Sequence, residues 1–234
     1  MNNYIVLDIE TTGTKPLESD IIEIGAVYIE ENKVKDKFST LVKPNEPISE
    51  YITSITGITN EMVENERTIE EVLPKFIEFC RNLPLVGHNI DIFDYRMLKV
   101  KAHRLGLPFE YKTLDTLIIS RQVLAHLPSR KLGDLCTHYE IDLVHAHRAY
   151  DDAHATYELL THLQKDFSEE MPQLFEPTAN DWKMPKYSPI TGKQKNYLLN
   201  LCKTHKIVLE KEIDRFSKSE ASKKIDDILR EYGR

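Results

Sequence analysis

Cysteine is scarce in this sequence: three in 234 residues, at positions 80, 136 and 202. An odd number, widely spaced and with no Cys-x-x-Cys pair, excludes a disulfide framework or a zinc knuckle as the organising device. Cys80, Cys136 and Cys202 read as reduced packing residues. Long apolar runs are missing as well. None approaches the roughly 20 residues needed to span a bilayer, and Met1 is followed within a few residues by the acidic segment Asp8-Ile9-Glu10 rather than by a signal peptide. The expectation is a cytoplasmic protein with no membrane partner. Internal repeats and low-complexity tracts are also absent. Positive charge is in deficit, with 31 Lys and Arg against 38 Asp and Glu for a net charge of −7, which argues against a polyanionic partner. The deficit is uneven: residues 1–167 hold 18 basic against 27 acidic residues, and residues 168–234 hold 13 against 11. Carboxylates gathered to hold divalent cations make a domain formally acidic until the cations bind and reverse the local sign. Net charge therefore excludes little.

What is present is an ordinary globular composition, 41% hydrophobic and 29% charged, long enough for one core-bearing domain and a small appendage. The apolar run Tyr4 to Ile9 predicts a buried strand that stops at the polar cluster Glu10-Thr11-Thr12-Gly13. Ile21 to Ile29 and Lys33 to Val42 predict two more strands, antiparallel and turning at Glu31-Asn32. Short helical pieces follow from Ser49. Thr68 and Glu71 form the capping pair of an amphipathic helix through Ile69, Val72, Leu73 and Phe76. Leu85-Val86 and Leu114-Asp115-Thr116 read as short strands that each feed a helix, the first from Ile90 to Leu105, closed by Gly106. A last long helix is expected from about Arg148 to Leu163. Strands first, then strand and helix in alternation, indicate an α/β domain with a mixed sheet. Four prolines between Glu169 and Pro189 mark a linker, assigned to 168–190. Residues 191–234 then predict a helical hairpin opened by Thr191 with Gln194 and by Ser217 with Glu220.

Three segments carry chemistry. Asp8-x-Glu10 aims two carboxylates to one face of a strand, where they can grip hard cations; the same pattern also occurs on solvated strands. Gly87-His88-Asn89-Ile90-Asp91-Ile92-Phe93-Asp94 breaks a buried strand and offers Asp91 and Asp94, three apart on an opening helix, where acids are also simply helix-favourable. His147 stands just before a helix, with Asp151 and Asp152 in the first turn. It is the one histidine of nine followed five residues later by aspartate. A zinc pair made by His145 and His147 is the competing reading, without a supporting cysteine.

Together, and in this order, these segments resemble the three motifs of the DEDDh, or DnaQ-like, exonuclease family. Asp8-Ile9-Glu10-Thr11-Thr12-Gly13 resembles the first, His88-Asn89 through Phe93-Asp94 the second, and His147-Arg148-Ala149 with Asp152 to Thr156 the third. Val42 to Pro44, Ile48, Thr56 to Thr59 and Leu114 to Thr116 agree around them. The resemblance covers residues 1 to about 165, the domain assigned to 1–167. One departure is that Ile90 to Ile92 supply three residues before the Phe-Asp pair where many relatives have two, which leaves Asp91 competing with Asp94. The resemblance implies an RNase H-like mixed five-stranded sheet and hydrolysis of DNA from the 3′ end, with RNA trimming as the alternative. It implies two divalent cations, Mg²⁺ or Mn²⁺, held by Asp8, Glu10, Asp94 and Asp152, with His147 as catalytic base. Ile9, Thr11, Thr12, His88, Asn89 and Phe93 are implied as substrate-binding, and a DNA polymerase or another replication or repair protein as a partner. A catalytically silent polymerase-associated subunit is the reading from a different class. The tail from Trp182 to Leu209 holds six lysines, three aromatic residues and no acid, a composition suited to nucleic acid or to a protein partner.

Overall fold

The computed structural model describes residues 2–143, 147–184, 188–209 and 212–233. His145, Pro185, Lys186 and Tyr187, which figured in the sequence reading, lie outside them. The chain divides into two compact units, 1–182 and 183–234.

In the first unit β1 (Asn3–Thr11), β2 (Ile21–Glu30) and β3 (Lys33–Leu41) form an antiparallel meander. Two short helices, α1 (Glu50–Thr56) and α2 (Asn60–Val63), follow, capped by Ser49 and Thr59. After α3 (Ile69–Phe79) the chain alternates: β4 (Leu85–Gly87), α4 (Asp94–Arg104), β5 (Lys112–Asp115), α5 (Thr116–Val123), α6 (Leu132–His138) and α7 (Ala149–Phe167). A strand of two residues, β6 (Thr178–Ala179), pairs antiparallel with β5. The sheet order is β3-β2-β1-β4-β5-β6.

This corrects the expected sheet of five strands to six, and it shortens the expected linker. Phe175 is buried in the core and residues 178 and 179 join the sheet edge, so residues 168–182 belong to the first unit. A two-residue strand between prolines carries no periodicity from which it could be read. The short α6 was likewise not expected. The helix expected from Ile90 starts only at Asp94, because Asn89 takes a positive φ of 72° and residues 90–93 turn before the helix begins.

β1 lies between an antiparallel and a parallel neighbour, and its alternating side chains enter two cores. Ile5, Leu7 and Ile9 pack with Leu73 and Phe76 of α3 and with Tyr95 and Leu98 of α4. Tyr4 and Val6 pack on the other face with Val27 and Ile29 of β2 and Leu159, Leu160 and Leu163 of α7. Along that second face the next side chains are Asp8 and Glu10, so the core ends in carboxylates. Among the described residues no helix is long and apolar enough to cross a membrane.

The second unit is built on α8 (Gly192–His205) and α9 (Lys218–Tyr232), each opened by a capping box, Thr191 with Gln194 and Ser217 with Glu220. Leu198, Leu201 and Cys202 pack with Ala221, Ile225 and Ile228 around the buried Phe216.

Candidate active site

The register of β1 on β2 sets Asp8 opposite Gly25 and Glu10 opposite Glu23, so all four positions share the face that α7 covers. Gly25 lets α7 come close. A Cβ at this position would overlap the backbone of Ala149 and Tyr150, so no other residue fits without moving the helix. Glu23, buried, then holds the start of α7: its carboxylate accepts from Arg148 Nη2 at 2.7 Å, from Arg148 Nε and from the Ala149 N–H at 3.1 Å. This clasp brings His147 and Asp152 to the end of β1. Asp152 in turn accepts the His147 N–H at 3.0 Å, which orders the positive-φ turn at His147 (φ 66°).

Asp94 arrives from the other side. It is buried in the first turn of α4, and its Oδ1 accepts the Ile9 N–H at 3.1 Å, tying the helix to β1 between Asp8 and Glu10. Asp91 points elsewhere: it accepts from Thr113 Oγ1 and Asn180 Nδ2. Of the two, Asp94 is the one bonded to β1 beside Asp8.

One open cavity of about 850 Å³ is lined by Asp8, Ile9, Glu10, His88, Asn89, Phe93, His147 and Asp152 among others. Asp152 is in its lining and Asp151 is not; Asp94, buried beneath, is not in the lining either and meets the site through the Ile9 N–H beside Asp8. Single ligand atoms of Glu10, His147 and Asp152 lie within 4.8 Å of one another. Burial, followed by repulsion from Asp94, Asp152, Glu10 and Glu23, holds the Asp8 carboxyl well above the ordinary range. Burial, with Asp152 and Glu23 next, pushes Glu10 up to about 8. Burial also raises Asp94 to about 7 and Asp152 to about 6, each partly offset by a backbone N–H bond. Four acids whose charged forms are disfavoured by burial and by neighbouring carboxylates make a site that a bound cation would stabilise. All-oxygen donors of this kind suit hard divalent cations such as Mg²⁺ and Mn²⁺, so the residues present fit a metal centre.

Not every expected substrate residue meets the cavity. Thr11 and Thr12 are spent on the turn after β1: Thr11 Oγ1 donates to the Gly13 carbonyl, and Thr12 Oγ1 accepts the Asp20 N–H. His88 lines the cavity but both ring nitrogens are engaged, Nδ1 with Thr116 Oγ1 at 2.9 Å and Nε2 with the Arg130 carbonyl at 2.8 Å. Sequence reasoning missed Glu23, Gly25 and Asp115. Asp115 caps α5 and accepts the N–H groups of Asn89 and Asp91, fixing the loop that carries the second motif. A glutamate and a glycine two residues apart inside the apolar run of β2 were the available signal for the first two. A polar and a small residue on one face of a strand buried throughout call for a partner there.

The family model described as Exonuclease matches residues 5–160. The DNA polymerase III PolC-type protein of Caldanaerobacter subterraneus subsp. tengcongensis is 45% identical over 192 residues, 79% of this chain and 14% of that protein. That of Clostridium perfringens is 42% identical over 170 residues, 73% of this chain and 12% of that protein. The chain therefore spans only a small part of the length of these relatives. Among solved structures, exonuclease X in complex with 5′ overhanging duplex DNA superposes with a TM-score of 0.56 at 25% identity, covering 74% of this chain and 99% of that one. The zinc-bound E. coli ExoI–ssDNA complex gives a TM-score of 0.65 at 18% identity over 75% of this chain and 42% of that one, a likeness of fold, and that fold is RNase H-like. With the family model spanning residues that include all three motifs, and with those motifs converging on one cavity, the chain belongs to the DnaQ-like (DEDDh) exonuclease family.

Proposed function

We propose that this chain hydrolyses DNA from the 3′ end, one nucleoside 5′-monophosphate at a time, with two divalent cations, Mg²⁺ or Mn²⁺, held by Asp8, Glu10, Asp94 and Asp152. The observation that carries the reading is the convergence of these acids and His147 at the end of β1, in a site whose burial and repulsion favour cation binding. Bound cations supply Lewis acidity at the scissile phosphate and lower the pKa of an attacking water. The protein's own part is placement. Asp8 reaches the site from the sheet, Asp94 is oriented by the Ile9 N–H and Asp152 by the His147 N–H. His147, exposed at the cavity, takes the proton of the attacking water. The water oxygen bonds to phosphorus as the P–O3′ bond breaks, and the departing O3′ takes a proton from solvent water. Ile9 and Phe93 offer apolar contact and Asn89 a polar edge to the terminal nucleotide.

DNA is favoured over RNA because the PolC-type relatives are DNA polymerases by name. A replicative polymerase is the corresponding partner and the cytoplasm the corresponding place. Residues 183–234 are assigned to holding nucleic acid through the exposed side of α8.

The test is hydrolysis of 5′-labelled single-stranded DNA, duplex DNA and RNA with Mg²⁺, with Mn²⁺ and with chelator, beside Asp8→Asn. A metal-dependent ladder shortening from the 3′ end of DNA, absent in the variant, is expected. Internal cuts, activity in chelator, or equal activity of the variant would each count against the mechanism, and RNA as the preferred substrate would replace DNA.

A further inference from the structure

The cavity that gathers the acids is chemically two-sided. Asp8 and Glu10 enter its lining from β1 and Asp152 from α7, while Arg121 enters it from the end of α5 and Arg130 and Lys131 from the segment ahead of α6. These three cations belong to a unit that has 18 basic residues against 31 acidic ones. Even so, none of the ion pairs formed among the described residues uses them. Cations left unpaired in an acid-rich domain, and collected at one cavity, point to an anionic ligand.

The loop that carries them is ordered in advance. His88 Nε2 donates to the Arg130 carbonyl, and Thr116 Oγ1 meets the other ring nitrogen, so His88 is a strut from the end of β4 to this loop. Arg130 Nη2 donates to the Ala125 carbonyl, tying the loop back to the end of α5. The other acid of the lining, Asp134, accepts from Ser129 Oγ. A segment held at both ends has little ordering entropy left to lose when a ligand binds.

The charge of the scissile phosphate is already met on the acidic side, where cations would bind. We propose that Arg121, Arg130 and Lys131 bind the phosphodiesters on the 5′ side of the scissile bond, so that this wall guides the single strand feeding the site, with His88 as a positioning residue that acts through Arg130. This rests on the exonuclease reading of the same cavity. Such contacts address the backbone and not the bases, so they act on every sequence alike.

The experiment compares two substrates: a short oligothymidylate, and the p-nitrophenyl ester of thymidine 5′-monophosphate, which has a scissile phosphate and no upstream backbone. Arg121→Ala/Lys131→Ala is the variant, since both side chains are exposed and their loss leaves no core cavity. The ratio of kcat/KM on the oligonucleotide to kcat/KM on the ester is expected to fall several-fold, with the loss in KM. The dependence of log KM on log salt is expected to flatten by about 0.7 for each phosphate that the variant no longer neutralises. His88→Gln is expected to lower the same ratio. If the parent protein cleaves both substrates and the variants leave the ratio and the salt slope unchanged, the wall does not bind upstream phosphates while the exonuclease reading stands. If the parent cleaves neither, both fall.

Discussion

The two units of this chain solve opposite problems. Residues 1–182 carry 18 basic and 31 acidic residues, whereas residues 183–234 carry 13 and 7. On the proposed reading the first unit holds cations while its net charge repels a polyanion at a distance, and the second attracts one but has, among the described residues, no such group of metal-ligating side chains. They also differ in what holds them. The first buries both faces of the central strands β1 and β2, and its site is assembled from β1, β2, α4 and α7, with Asp8 and Asp152 144 positions apart in sequence. The second has, among the described residues, one small core of seven buried side chains and relies on local devices at each helix start. Chemistry here requires long-range assembly, and attraction requires only surface charge.

That contrast can be tested, beginning with the largest effect. His147→Ala is expected to lower kcat by about 10²-fold while leaving DNA affinity near that of the parent. An equal loss in a binding titration would show that the acidic unit contributes to attraction through this residue and would blur the division. Lys101→Met probes the long-range assembly. Lys101 and Asp20 pair at 2.7 Å, 81 residues apart and largely shielded from water. Burial works to raise the Asp20 carboxyl, but the hydrogen bond and charge of Lys101, with help from Asn45, outweigh it and leave Asp20 below its ordinary range. A carboxyl lowered in the folded state contributes stability above its unfolded pKa, about 3.9, and loses it as pH falls through the folded value. The variant is thus expected to cost about 3 kcal/mol at neutral pH by urea titration. The gap to the parent should narrow on acidification below about pH 4; a gap independent of pH would show that the pair is not its source. The smallest effect belongs to the basic unit. Lys193 and Lys203 share the exposed side of α8 with Tyr197 and Asn200. Replacing both lysines with glutamine is expected to flatten the salt dependence of DNA binding by about 0.7 for each phosphate left without its lysine, with kcat on a short substrate held. A steep slope that survives would move the attraction elsewhere.

The features legible in the sequence were those whose partners lie close along the chain. The capping pairs Thr68 with Glu71, Thr191 with Gln194 and Ser217 with Glu220 all form as capping boxes, because both members belong to one helical turn. Strands β1 to β3 announced themselves by period and by the turn at Glu31-Asn32, both of positive φ. The three acidic segments were legible from spacing and from family likeness; Asp8, Glu10, His147 and Asp152 line one cavity, and Asp94 is buried against β1 beside it. Less legible were groups whose role is set by whatever happens to face them. Thr11 and Thr12, expected at the substrate, satisfy a turn. His88 is bonded to a carbonyl 42 residues away. β6 exists only because the edge of β5 is there to pair with it.

The sequence by itself determined the elements, the helix caps and the acidic residue types, since these follow from side-chain chemistry and periods of two to four residues. Tertiary structure alone decided that Asp94 is bonded to β1 beside Asp8, that Asp91 is turned into Thr113 and Asn180, and that Arg121, Arg130 and Lys131 line the same cavity as Asp8 and Glu10. The reason is physical. Electrostatic and packing partners are selected by distance in space, and the close crossing of α7 over Gly25, clasped by Glu23, is what brings the third motif to the first.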